Sequence, residues 1–177
     1  DRWGAETYAE LLRLGKGELS AGITMRKGRE YLRERVELPG WREDITHFRV
    51  LDSDEIPKPW VFGWEFESPI IEMPFYMPWL ITRTRELGGI VEKGEVGELS
   101  EIKADLVVNC SGIGARELCN DSEVHPVRGQ VIYIEQDPGY GRFDQQPETL
   151  TYTIARRDCT VLGGTAQVDD WNLEISE

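Results

Sequence analysis

The sequence predicts an α/β fold that changes style twice, with β-rich stretches on either side of a helix–strand–helix centre. Three observations predict it. Large aromatic residues recur at period two from Trp60 to Phe66, the spacing of a strand with one apolar face. A helical pattern from Pro78 to Leu87 is followed by an apolar run, Asp105 to Cys110, and then by small residues that open a second helix. Beyond Asp121 the chain returns to alternating strands. A single continuous domain seldom changes style twice, so the expected organisation is two interleaved domains. Residues 1–71 and 122–177 form one, and residues 72–121 form the middle of the other.

The elements follow in order. Ala5, Tyr8, Leu11 and Leu12 recur at helical spacing, with Gly15 as a stop. Ala21 to Met25 reads as a short strand leading to a turn at Lys27-Gly28, and a second short strand centres on Phe48-Arg49-Val50. Trp60, Phe62, Trp64 and Phe66 would share one face of the next strand as an aromatic wall. Core packing accounts for such a wall, and a ligand-facing role for part of it stays open. Pro78 fits the first turn of a helix that runs to Leu87 and stops at Gly88-Gly89.

The polar stretch from Ile90 to Ile102 is expected to hold a strand pair, or a strand and a turn. Asp105 to Cys110 has the unbroken apolar character of a strand buried on both faces. Val127 to Ile134 reads as one strand, broken by Asp137-Pro138-Gly139-Tyr140-Gly141. Leu150, Tyr152 and Ile154 alternate with smaller residues. A turn at Arg157-Asp158 then leads into Thr160 to Gly164, which together predict an antiparallel hairpin.

Composition limits the partners. The 177 residues are 40% hydrophobic and 30% charged with a formal net charge of -13, so polyanions such as nucleic acid or anionic lipid are repelled. No apolar run has the length of a membrane span, and no signal peptide opens the chain. Cys110, Cys119 and Cys159 match no CxxC spacing and are expected to be reduced and mostly buried, in an intracellular compartment. His47 and His125 have no second ligand nearby, which argues against a metal site. The chain begins Asp1-Arg2-Trp3 without a Met, so a trimmed or excised portion of a longer protein is expected.

The strongest local signal is Asn109-Cys110-Ser111-Gly112-Ile113-Gly114. Small residues after a strand let a ligand approach the backbone, and helix N-terminal amides suit an anion or a polar ring edge. On its own the signal is weak, because such turns often exist only for tight helix packing. No GxGxxG, GxSxG, HExxH or P-loop is present. Tyr152, mid-strand among small polar residues, is either a core tyrosine with a satisfied hydroxyl or part of a site.

Four ordered segments carry a resemblance. Asp105-Leu106-Val107-Val108-Asn109-Cys110-Ser111-Gly112-Ile113-Gly114-Ala115-Arg116-Glu117-Leu118 and Pro126-Val127-Arg128-Gly129-Gln130 closely resemble the D-amino acid oxidase and D-aspartate oxidase family. Tyr76-Met77-Pro78-Trp79-Leu80 looks like the start of that family's mid-chain helix. Tyr152-Thr153-Ile154-Ala155-Arg156, Leu162-Gly163-Gly164-Thr165 and Asp170-Trp171-Asn172 look like its substrate-domain hairpin. The resemblance covers most of the chain, more loosely before Phe62. It implies a two-domain FAD-binding fold, a Rossmann-like nucleotide domain beside an antiparallel-sheet substrate domain.

The implied activity is oxidative deamination of a D-amino acid to a 2-oxo acid, with O2 consumed and ammonia and hydrogen peroxide released. Hydride passes from the substrate Cα to flavin, so no protein acid or base is needed at Cα. Carried over by motif, Ser111 and Gly112 would lie against FAD, Val96 would offer it a backbone contact, and Tyr152 would hold the substrate carboxylate. A second tyrosine found in some members is replaced by Glu148, and an arginine of D-aspartate oxidases by Ala166, which favours neutral D-amino acids. The GxGxxG unit and the arginine that clamps the carboxylate are absent, so these 177 residues alone are expected to bind no stable FAD and to turn nothing over.

Peroxisomal location, with a cytoplasmic alternative, and an open option of a homodimer come with the family. A D-aspartate oxidase, a sister oxidase acting on glycine or N-methyl amino acids, and a non-catalytic binding domain on the same fold are the competing identities.

Overall fold

The computed structural model describes residues 2–18, 21–146 and 149–176. Its centre is a seven-stranded mixed sheet, laid down in the order β2-β3-β1-β6-β7-β8-β5. The strands are β1 (Ile23–Leu32), β2 (Phe48–Val50), β3 (Phe62–Ile71), β5 (Val131–Ile134), β6 (Gly141–Gln146), β7 (Thr149–Ala155) and β8 (Thr160–Gly163), while β4 (Val127–Arg128) and β9 (Gln167–Val168) pair separately. All neighbours in the large sheet are antiparallel except β1 and β6, whose parallel pairing sets Gly28 beside Gly141. That pairing joins strands from both β-rich ends of the chain into one sheet.

The helix α1 (Arg2–Gly17) is longer than its apolar periodicity suggested and runs through Gly15. Leu11 and Leu14 pack with Ala21, Ile23, Tyr76 and Trp79, and a Cβ on Gly15 would stand 3.3 Å from Ile23 Cγ2. Gly15 is therefore a point of close helix–strand approach, and packing overrides its low helix propensity.

The same reason corrects the turn expected at Lys27-Gly28. Both residues lie in the middle of β1, and a Cβ on Gly28 would meet Phe66 Cζ at 2.8 Å and Phe143 Cε2 at 3.2 Å. The glycine makes room for two rings from the flanking strands, whose centroids lie 5.8 Å apart. Register places Gly28, Glu30, Trp64, Phe66, Phe48, Phe143, Tyr152 and Gly163 on one face of the sheet. Trp41, from a one-turn 3-10 helix at Gly40–Glu43, packs edge-on against Phe48 and Phe66 on that face.

Trp60 does not belong to this wall. It precedes β3, and its ring packs against Tyr31 on the opposite face, with the Arg142 guanidinium 4.4 Å from its centroid. The strand β3 then continues past Phe66 to Ile71, through Pro69. Glu67 donates its N–H to His47 O, on the β2 side, so the Pro69 nitrogen two residues on faces the same way, beyond Phe48 where β2 begins. No ladder bond is lost there.

The helix α2 (Met73–Glu86) starts five residues before Pro78, with Pro74 in its first turn and Pro78 inside it. Its end at Leu87-Gly88 agrees with the expected stop, and Gly88 has φ +85.

Between α2 and β4 the expected strands are absent. Residues 90–98 are irregular and Leu99–Glu101 is a single 3-10 turn. The run from Asp105 to Cys110 pairs with nothing among the described residues, and Leu106 and Val108 are 79% and 72% exposed. A strand buried on both faces needs a neighbour on each side and layers above and below it. Cys110 on this run and Cys119 after it are exposed and Cys159 is half-buried, which corrects the expectation of mostly buried thiols.

The single strand expected over Val127 to Ile134 is two, β4 and β5, interrupted at Gly129-Gln130. The hairpin β7–β8 forms as expected, with Tyr152 opposite Gly163. Among the described residues no helix is long and apolar enough to cross a membrane.

Candidate functional site

Tyr152 sits mid-strand in β7 and is half-buried. Its ring lies over the neighbouring strand: a Cβ on Gly163 would stand 2.1 Å from Tyr152 Cζ and 2.4 Å from its hydroxyl oxygen. Any side chain at position 163 would expel the ring, so glycine there is a requirement of the tyrosine's place. Among the described residues the Tyr152 hydroxyl takes no hydrogen bond, unlike a core tyrosine with a satisfied hydroxyl. Glu148 lies outside the described residues.

A cavity of about 570 Å³ opens beside Gly163-Gly164, between Gln130, Val131, Leu162 and Thr165. Its volume suits a small molecule, and the described residues that line it are uncharged. The segment Pro126–Gln130 builds one wall and anchors the rest. Arg128 donates to Gln167 Oε1 at 2.8 Å, to Asp170 Oδ2 at 3.3 Å and to the Glu174 carbonyl. The Gln130 N–H donates to Thr165 Oγ1 at 2.9 Å, and its side chain exchanges hydrogen bonds with Ser176. The two motifs that sequence reading met separately, Pro126–Gln130 and Leu162–Asn172, are thus one contact.

Ser111 and Gly112 form a tight, exposed turn. The Ser111 N–H donates to Asn109 Oδ1 at 3.0 Å, Gly112 has φ +59, and a 3-10 turn leads into the four-residue α3 (Ala115–Leu118). Nothing lies within 4 Å of the place a Gly112 Cβ would occupy. Helix packing therefore does not explain this glycine; its backbone conformation does, and a flat ring has open access to it. Val96 is 44% exposed in the irregular segment before Leu99. No hydrogen bond, ion pair or ring contact among the described residues joins Val96, Ser111 or Gly112 to Tyr152.

The opposite face of the sheet carries a charge cluster. Glu65, 6% exposed at its side chain, accepts from Arg29 at 2.9 Å, Arg49 at 3.2 Å, His47 at 3.3 Å and Lys27 at 3.4 Å. Burial pushes its carboxyl up, but the hydrogen bonds from Arg49, Arg29 and His47 outweigh that and hold it at about 2. Glu55, bound by Arg49 and by the Asp52 N–H, is also held at about 2. On the Tyr152 face, burial pushes Glu30 up while the Trp64 indole N–H, 2.9 Å away, opposes it. All these groups have partners, so the cluster is a structural one.

The family model that matches residues 2–177 describes an FAD dependent oxidoreductase. The chain belongs to this family. Among similar curated proteins, a D-amino-acid oxidase of Rubrobacter xylanophilus is 40% identical over 97% of this chain and 54% of that protein. A D-amino-acid oxidase of Dictyostelium discoideum is 34% identical, covering 97% of this chain and 50% of the relative. A human D-aspartate oxidase is 34% identical, covering 97% and 52%. The chain spans about half the length of these relatives. A mixed sheet with helices fits the FAD dependent oxidoreductase family, and FAD is the family's cofactor.

The backbone at Ser111-Gly112 is open enough to admit a flat cofactor ring. Sequence reading missed Glu72, fully buried and bound to Arg157. Its signal was a lone carboxylate between Ile71 and Met73, in the middle of an apolar stretch.

Proposed function

We propose that this chain is the central part of an FAD-dependent oxidase that deaminates neutral D-amino acids, releasing a 2-oxo acid, ammonia and hydrogen peroxide. One observation carries this: Tyr152, held over Gly163 with no hydrogen bond to its hydroxyl among the described residues, stands beside a cavity whose described lining is uncharged. In this reading residues 1–71 and 122–177 make the substrate domain and residues 72–121 part of the FAD-binding domain. Homodimer formation and a peroxisomal location belong to the same proposal and rest on the family alone.

Bound FAD would accept hydride from the substrate and pass the electrons to O2. Tyr152 would donate its hydroxyl hydrogen to the substrate carboxylate and so fix the orientation of Cα. Ser111 and Gly112 would offer backbone to the cofactor, and Val96 a further backbone contact. The described lining, with Ala166 beside it, offers a side-chain carboxylate no cation to pair with, which favours D-alanine over D-aspartate.

The test is peroxide release by the complete protein on D-alanine and on D-aspartate, with Tyr152→Phe beside it. Turnover faster on D-alanine is expected. The variant should keep its flavin and raise KM by the equivalent of about 1.5–3 kcal/mol, the size of a lost hydrogen bond to a charged group. An unchanged KM removes Tyr152 from the site, and no peroxide from any D-amino acid turns the reading to a binding domain on the same fold.

A further inference from the structure

We infer that Glu72 and Arg157 form a clamp that positions the β7–β8 hairpin, and through it Tyr152, for the substrate. The proposal rests on the assignment of Tyr152 to the substrate carboxylate.

Glu72 is 0% exposed. A carboxylate so buried is costly unless both oxygens are paired. One oxygen accepts the Arg157 Nε–H at 2.9 Å, and the other accepts the Arg157 backbone N–H at 3.0 Å and the Thr24 hydroxyl at 3.3 Å. The Glu72 backbone is engaged as well: its N–H donates to Gly22 O, and its carbonyl accepts the Phe75 and Tyr76 N–H groups that start α2. The Arg157 guanidinium lies 4.4 Å from the Phe75 ring centroid. Gly22, at φ +65, lets the chain pass so close that a Cβ there would stand 2.5 Å from Phe75 Cβ.

Three segments far apart in sequence therefore meet at one carboxylate: the start of β1, the junction of β3 with α2, and the tip of the hairpin. Behind that tip Ala155 and Thr160 pair and are each 1% exposed, and the Arg156 N–H closes the turn on Cys159 O. Tyr152 stands three residues before Ala155, about 10 Å along the strand. The β6–β7 and β7–β8 ladders hold the hairpin in the sheet, while the clamp at its tip fixes its tilt relative to α2, the helix that opens the proposed FAD-binding part.

A merely structural pair would change stability and nothing else. A positioning pair changes substrate affinity, and does so through Tyr152. The experiment uses the complete protein with its FAD and the variants Glu72→Gln, Arg157→Lys and Tyr152→Phe, alone and combined. Glu72→Gln keeps an oxygen for the Arg157 backbone N–H but loses the ion pair. Arg157→Lys keeps the charge but not the planar guanidinium on Phe75, and it serves if the first variant fails to fold.

Expected is a rise in KM for D-alanine of roughly three- to tenfold, with kcat within about twofold and flavin content unchanged. That rise should vanish in the Tyr152→Phe background. An unchanged KM in folded clamp variants, where Tyr152→Phe raises it, overturns the clamp and leaves the substrate site standing. A rise that multiplies with that of Tyr152→Phe overturns it too, since the pair then acts by another route. An unchanged KM in Tyr152→Phe itself removes both assignments.

Discussion

At the scale of single residues, glycine and tyrosine at the hairpin behave as one unit. The Tyr152 ring occupies the volume that a Gly163 side chain would need, at 2.1 Å from Cζ. Gly163→Ala should therefore push the ring off its place. We expect a loss of about 1–3 kcal/mol of stability, as for an overpacked core position, and a higher KM with flavin retained. Melting curves and steady-state kinetics measure both. Tyr152→Ala should relieve the stability loss of Gly163→Ala, because the space is vacated, and full additivity of the two would refute the close contact. Tyr152 was legible in the sequence as a candidate from its motif, but its partner across the strand was not, since register between β7 and β8 is a property of the folded sheet.

Among the elements, the sheet separates its chemistry by face. Phe48, Trp64, Phe66, Phe143 and Tyr152 stand on one side, and the Glu65 cluster, with the Tyr31 and Trp60 rings, on the other. Period two made the wall of Phe62, Trp64 and Phe66 readable, because alternation is local. The cluster was unreadable, because Lys27, Arg29, His47, Arg49 and Glu65 come from three strands and a loop. Its pH behaviour follows from the depressed carboxyls. Glu65 and Glu55 titrate at about 2, below the ordinary glutamate value of 4.5, so the folded state holds their protons less tightly than the unfolded chain. Their stabilisation is complete above about pH 4.5 and fades as the pH falls towards 2. Glu65→Gln should melt at a lower temperature than the parent at pH 7, and the gap should close over that acid window. A gap that stays constant from pH 7 to 2 would show that charge is not the cause.

For the whole molecule, the contrast lies between a well-paired sheet and an exposed centre. The run from Asp105 to Cys110 displays Leu106 and Val108 to solvent, and no GxGxxG occurs in the sequence to cradle a pyrophosphate. Titration of FAD into these 177 residues alone should give no saturable change in flavin absorbance or fluorescence. Stoichiometric binding would mean that Ser111-Gly112 and its surroundings suffice. The exposed glycine turn was found from sequence because its small residues follow an apolar run. The run forms no strand despite its composition, because apolar character reports a preference for burial and says nothing of whether a partner is present.

The sequence by itself determined the family, through four ordered motifs, and the local elements whose periodicity is strong, such as β7–β8 and the end of α2. It also determined the formal net charge of -13. Only the tertiary structure decided that β1 passes straight through Gly28, that β1 and β6 join the two ends of the chain in one sheet, and that Pro126–Gln130 grips the segment after Thr165. It alone placed the Glu72 carboxylate at the hairpin tip. Motifs and periods are written within a few residues of one another, whereas ring-over-glycine contacts and buried ion pairs depend on which distant strands become neighbours.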